Sequence, residues 1–213
     1  MRGATVLRLA LAALLAAGAA RADDAPEPDA PWPPEATAGE VAGPVTLQLG
    51  QGFSLDLPAG WELEDAEDDP GDATGRMRVR IVCRTPACRR TQETCTMVLR
   101  RAPVPGTDDA ARLAGLRAAP LSRYFRLRAV LKSTSAGATV RRPLGPERFG
   151  PRDWIAVETE AAPGFKSGLF AETVIGGRYL GAICRTCETG EVRHDSARAL
   201  LGSVRREEQS AAR

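Results

Sequence analysis

The chain of 213 residues contains no asparagine, so no N-glycosylation sequon exists in it. Lysine occurs only at Lys132 and Lys166, and arginine carries nearly all of the positive charge. This usage, rich in Ala, Arg, Gly and Pro, matches a GC-rich bacterial genome. Histidine occurs once, at His194. A hydrolase triad built on His194-Asp195-Ser196 is excluded, because side chains of consecutive residues diverge. No G-x-S-x-G elbow, phosphate-binding Walker loop or H-E-x-x-H pair is present. Aromatic residues make up 5 % of the chain. Trp61 and Trp154 fall within strand-like runs, where packing against a sheet explains them better than ligand stacking does.

Long apolar runs are also missing. The longest, Leu9–Ala20, covers 12 residues, short of the roughly 20 that a membrane-crossing helix needs. It follows Met1, Arg2 and Arg8 and ends at Ala20-Arg21-Ala22. This is the pattern of a secretory signal peptide over residues 1–22, with cleavage expected before Asp23. No cysteine follows the run, so a lipoprotein anchor is not expected. The cleaved chain would hold 191 residues (213 − 22) with formal charge −1, since +2 loses Arg2, Arg8 and Arg21. It would have no stable membrane span, and its expected location is periplasmic or secreted.

Charge is unevenly spread. Residues 23–72 hold 14 acidic residues and no Lys or Arg, whereas residues 73–152 hold 18 basic and 4 acidic residues. A near-neutral exported chain is not expected to bind nucleic acid. The Arg-rich middle suits an anionic surface, or its arginines are wet strand positions neutralised by the acidic stretch. Residues 23–44 are acidic and rich in Pro and Ala, with Trp32 as their only large apolar residue. They bury too little to fold and read as a linker.

The folded domain is expected over residues 45–206, with 207–213 a polar tail. VTLQL and FSLDL alternate with the strand period and are separated by Gly50-Gln51-Gly52. Residues 62–75, acidic and Gly-rich, are expected to be a solvent loop. In RMRVRIVC, Arg76, Arg78 and Arg80 share one face, and Met77, Val79, Ile81 and Cys83 the other. Residues 95–101 repeat this with Cys95, Met97 and Leu99 inward. Thr107 or Asp108 is placed to cap a helix carrying Leu113 and Leu116. After Pro120 a second helix is expected to bury Tyr124, Leu127 and Leu131. Strands follow at 138–142, 153–160 and 169–175. Gly176-Gly177 signals a tight hairpin, and Arg178–Cys184 returns from it. Asp195 or Ser196 is expected to cap a closing helix that turns Ala199, Leu200 and Val204 inward. His194 is expected at the surface, and Glu158 and Glu160 on a wet sheet face. The order predicts an α+β fold, an antiparallel sheet flanked by helices.

The segment Phe53–Trp61, FSLDLPAGW, resembles the opening of PsbP-like domains. So do the Gly150–Glu160 strand, the Gly176-Gly177 hairpin, RYLGAIC and the closing ARALLGSVR. PsbP-like domains include photosystem II accessory proteins, a Ran-binding import factor and small bacterial envelope proteins such as the DcrB-like ones. The resemblance covers about residues 45–206. It implies an α/β/α sandwich and a binding or accessory role with no shared catalytic set.

Five cysteines remain: Cys83, Cys88, Cys95, Cys184 and Cys187. In an oxidising compartment they should form two bridges and leave one thiol. One bridge is expected within Cys83, Cys88 and Cys95, and a second at Cys184 or Cys187. Two other readings stay open. Cys184-Arg-Thr-Cys187 has the spacing of thiol oxidoreductases, although Glu188 and Glu191 oppose a stabilised thiolate. Cys83, Cys88, Cys184 and Cys187 also have tolerable spacing for a zinc-thiolate site. The first reading is therefore an exported, non-enzymatic envelope protein that needs no cofactor and binds an envelope protein or an anionic surface. The alternative is a thiol-active or zinc-bound protein.

Overall fold

The computed structural model describes residues 45–68, 75–89, 91–118, 120–134, 137–160, 166–188 and 192–207. The expected signal peptide, the linker and most of the polar tail lie outside them. The chain begins with β1 (Val45–Gly50) and β2 (Phe53–Leu57), joined by the expected Gly-Gln-Gly turn. They form a three-stranded sheet in which β2 is central, flanked by β1 and by the short β10 (Arg205–Arg206), which the sequence reading missed. A second sheet holds seven strands: β3 (Trp61–Asp68), β4 (Arg76–Cys83), β5 (Thr94–Pro103), β6 (Thr139–Phe149), β7 (Arg152–Glu160), β8 (Ser167–Ile175) and β9 (Arg178–Thr186). Their spatial order is β3-β4-β5-β9-β8-β7-β6, and every neighbouring pair is antiparallel. Among the described residues the helices are α1 (Pro86–Arg89), α2 (Asp109–Ala118), α3 (Pro120–Thr134) and α4 (Asp195–Gly202). The α+β class follows from these elements.

The acidic run after Trp61 corrects part of one expectation, because residues 61–68 form edge strand β3 rather than the start of a loop over 62–75, and residues 69–74 of that expected loop lie outside the described residues. Its carboxylates are exposed but pair across the ladder. Glu64 meets Arg80 at 2.6 Å, Glu62 meets Arg84 at 2.7 Å and Glu67 meets Arg78 at 3.8 Å. Of these pairs only Glu67 and Arg78 face each other directly in the register, and an opposite-charge pair at such positions contributes about 0.2–1 kcal/mol. The acidic stretch thus neutralises part of the Arg-rich middle, and a charged edge resists pairing with other chains. At the opposite edge, β6 tolerates Pro143 and Pro146, since an edge strand leaves backbone positions outside the ladder.

Strand alternation divides the core into two layers. Met77, Val79, Ile81, Cys95, Met97, Leu99, Trp154, Ala156, Leu169 and Leu180 face one way. They pack with Phe53, Leu55 and Leu57 of the small sheet and with Ala197, Leu200 and Leu201 of α4. Val157, Phe170 and Ile183 have the opposite parity and meet Leu127 and Val130 of α3. The helix pattern needs two corrections here. Val130 and Leu127 form the inward stripe of α3, and Tyr124 is exposed. In α4, Ala197 rather than Ala199 points inward.

α4 sits close because of two glycines. A Cβ on Gly202 would lie 2.8 Å from the Gly150 nitrogen, and one on Gly150 2.8 Å from the Gly202 carbonyl oxygen. Neither Asp195 nor Ser196 caps α4. His194 stands at the cap in the left-handed region, φ 54°, with no side-chain capping bond. Its ring is buried rather than at the surface.

Candidate functional site

An open cleft of about 550 Å³ lies between the helices and the outer strands. Ala114, Arg117 and Ala118 of α2, Arg126 of α3, Leu144, Gly145 and Pro146 of β6, and Ile155 of β7 line it. Sequence reasoning singled out none of these residues. Most of the lining is apolar, and its two polar side chains are the guanidiniums of Arg117 and Arg126.

The α2 wall is set by its ends. Asp108 caps the helix, as expected, accepting the Ala111 N–H at 2.8 Å. Asp109 then grips the β8–β9 hairpin, its two carboxylate oxygens accepting the amides of Gly176 and Gly177 at 2.7 and 2.8 Å. Both glycines have positive φ, 54° and 75°, as a tight hairpin of this kind requires. This single side chain ties the start of α2 to the sheet.

Arg126 is held from beneath. Its Nη1 lies 2.8 Å from Oε1 of Glu172, a fully buried carboxylate on β8, and donates to the Leu116 carbonyl at 3.1 Å. The Tyr179 hydroxyl donates to Glu172 Oε2 at 3.1 Å. The Tyr179 ring in turn lies under the Arg100 guanidinium, 4.8 Å from ring centroid to Cζ. Burial raises the Glu172 pKa, with Arg126 and the Tyr179 hydrogen bond opposing the rise. Burial and the Glu172 charge also push the Tyr179 phenol well above its ordinary range. Gly181 makes room for this chain of contacts, since a Cβ there would fall 2.6 Å from the Tyr179 hydroxyl. A signal for Glu172 existed in the sequence. It is the only charged residue of SGLFAETVI, a strand buried throughout, and a carboxylate in that setting is nearly always paired.

A second buried cluster lies on the α4 side. Glu158 is buried rather than on a wet face; it pairs with Arg198 of α4 and lies 3.7 Å from Arg142. Glu147 bridges the same two arginines at 2.8 and 3.5 Å. His194 lies near Arg141, and burial first, then that charge, lowers its pKa to about 4. These groups join α4 to β6 and β7.

The cysteines are divided between two places. Cys83 and Cys88 are bonded across the turn that holds α1. Cys95 and Cys184 are bonded between β5 and β9. Cys187 is the free thiol, half-buried, donating to the Gln92 side-chain oxygen at 3.2 Å. The two halves of the C-x-x-C therefore do not act together. Cys184 lies in the core, bonded to a strand partner. The zinc-thiolate set is likewise dispersed, three of its four sulfurs being in disulfides. Two disulfides fit an oxidising, extracellular compartment.

No family model matches the chain, and no curated protein matches it. Among solved structures it is similar to the solution structure of cyanobacterial PsbP from Synechocystis sp. PCC 6803. That likeness has a TM-score of 0.45 and 14 % identity over 80 % of this chain and 96 % of that one. It is also similar to a protein from Bacteroides thetaiotaomicron VPI-5482, with TM-score 0.42 and 11 % identity over 80 % of this chain. The chain spans 50 % of the Bacteroides protein's length. Likeness at these TM-scores carries nothing about partner or chemistry.

Proposed function

We propose that the chain is an exported, non-enzymatic envelope protein of PsbP-like α/β/α architecture that binds a partner segment in the α2–α3 cleft. In this reading residues 1–22 are removed, 23–44 form a linker, 45–206 are the binding domain and 207–213 a tail. The protein then works in the periplasm or outside the cell. The observation that carries the reading is the lining of the cleft, mostly apolar residues beside the Arg117 guanidinium, with Arg126 engaged by Glu172. Guanidiniums bind carboxylates firmly, and none of the eight lining residues carries a nucleophilic hydroxyl or thiol. Such a surface holds a ligand and does no chemistry on it. The fitting partner is a protein segment that presents a carboxylate beside small apolar side chains. Thiol chemistry is not favoured, since Cys184 is sequestered with Cys95.

Two experiments test this. N-terminal sequencing of exported protein should find Asp23 first, whereas Met1 retained on cytosolic protein refutes export. A photo-crosslinker at Ala114, introduced in cells, should give one dominant adduct. The adduct peptide should carry Asp, Glu or a C-terminal carboxylate next to apolar residues, and Arg117→Glu should abolish it. Adducts indifferent to Arg117→Glu, or none, would refute binding in the cleft.

A further inference from the structure

The outward face of α3 is unlike an ordinary solvated helix face. Leu121, Tyr124, Phe125, Arg128 and Lys132 follow the spacing i, i+3, i+4, i+7, i+11 and so form one stripe. Leu121 is 73 % exposed, Tyr124 58 % and Phe125 61 %, and Arg128 and Lys132 are exposed beyond them. The opposite stripe, Arg126, Leu127 and Val130, already serves the cleft and the sheet. The apolar outer residues are therefore not remnants of core packing. Three contiguous large apolar groups on an exposed helix mark a contact surface rather than scattered surface residues.

Charge selects the occupant. α3 contains Arg123, Arg126, Arg128 and Lys132 and no Asp or Glu. The one carboxylate within α2, Asp109, is taken up by the Gly176 and Gly177 amides. Arg112 is engaged by Asp109 and the Val104 carbonyl, and Arg126 by Glu172. Arg128 and Lys132 remain to face outward beside Leu121, Tyr124 and Phe125. An exposed apolar–aromatic group continued along the same stripe by two cations, with no acid on the helix, complements a surface that is apolar beneath and anionic at its boundary. Tyr124 suits that boundary, with its ring apolar and its hydroxyl wet. Among the described residues no helix is long and apolar enough to cross a membrane, so the contact in question is peripheral.

We infer that α3 docks the protein on an anionic phospholipid surface. Leu121, Tyr124 and Phe125 enter the headgroup–acyl boundary, and Arg128 and Lys132 meet lipid phosphates. This rests on the exported reading, which places the domain next to envelope membranes, and it leaves the cleft free for the partner.

The test is sedimentation of the purified protein with vesicles of phosphatidylglycerol and phosphatidylcholine, beside vesicles of phosphatidylcholine alone. Binding is expected only with phosphatidylglycerol and should weaken as salt rises. The pair Leu121→Ser, Phe125→Ser should lower the partition coefficient about tenfold or more, and so should Arg128→Gln, Lys132→Gln. All four positions are exposed, so melting temperatures should stay at the wild-type value and separate lost docking from lost folding. Equal binding to both vesicle types, no binding, or binding indifferent to both pairs would overturn the inference. Sedimentation velocity covers a second copy as occupant. A dimer abolished by Leu121→Ser, Phe125→Ser without vesicle binding would assign the face to self-association instead. Exported protein that crosslinks through Ala114 but ignores vesicles would sink this inference alone. Met1 retained on cytosolic protein would sink the reading beneath it.

Discussion

Cys95 and Cys184, 89 residues apart in sequence, are direct cross-strand partners on β5 and β9 and are bonded to each other. Both lie in the core layer, in one row with Ile81 of β4 and Leu169 of β8. The other bridge, Cys83–Cys88, spans only 5 residues. Closing the longer loop removes more freedom from the unfolded chain, by about 2.5 kcal/mol on the loop-length relation. Cys95→Ala, Cys184→Ala should therefore lower the urea midpoint clearly more than Cys83→Ala, Cys88→Ala. The expected loss, about 4–5 kcal/mol, is a large share of the ~5–15 kcal/mol that holds a domain folded. Equal midpoints for the two double variants would show that loop closure is not the controlling term.

Cys187 decides between the two readings of the cysteines in a single mass measurement. Native alkylation of exported protein should add one group, and alkylation after denaturation and reduction should add five, one per cysteine. Labelling should be slow, because the thiol is half-buried and bonded to Gln92. Four or five native adducts, or zinc in the native spectrum, would restore the thiol-active or zinc-bound alternative.

The Arg126–Glu172 pair predicts an asymmetric response. Arg126→Leu leaves a buried carboxylate with only the Tyr179 hydrogen bond and the Arg100 charge to stabilise it and should cost about 3 kcal/mol near neutral pH. The cost should shrink as pH falls. The Glu172 pKa is already raised by burial and loses the charge that opposed the rise, so the folded state takes up a proton before the unfolded state does. Adding Glu172→Leu to Arg126→Leu should recover most of the loss. Denaturant midpoints at pH 5 and pH 7.5 check this, and a pH-independent cost would argue against a buried, ionised Glu172.

His194 predicts the opposite slope. Its folded pKa is about 4, below the ordinary value near 6.5. As pH falls through 6.5 the unfolded chain protonates while the folded ring stays neutral, so stability is full above 6.5 and declines toward pH 4. The decline amounts to about 3 kcal/mol for a shift of this size. His194→Asn removes the imidazole while suiting the left-handed backbone. Glu172 and Glu93 are raised and act in the other direction, so the quantity to read is the difference between wild-type and variant curves. Parallel curves between pH 4 and 6.5 would mean the ring titrates normally.

Period and punctuation alone determined most of the elements. Arg76–Cys83 alternates without a break, Gly176-Gly177 fits only a tight turn, and Pro103 and Pro120 bound elements where a missing N–H and a fixed φ require it. The α+β class follows from local geometry of this kind. So does the presence of a bridge near Cys83, because Cys88 is too close in the chain to lie far away in space. What the local pattern misjudged depends on distant neighbours. The acids after Trp61 read as a loop until β4 supplies arginines across the ladder. Glu158 reads as wet until α4 brings Arg198 over it. His194 reads as exposed until the turn before α4 folds it inward, and Tyr124 reads as core although the sheet meets Val130 instead. The cleft itself joins Arg117, Arg126, Leu144 and Ile155, from two helices and two strands. Burial and pairing are properties of what comes together across the chain, and residue spacing along it carries no record of which segment will arrive. Only the tertiary structure could decide that Cys184 bonds Cys95 rather than Cys187, because strand register, not sequence separation, set the two sulfurs side by side.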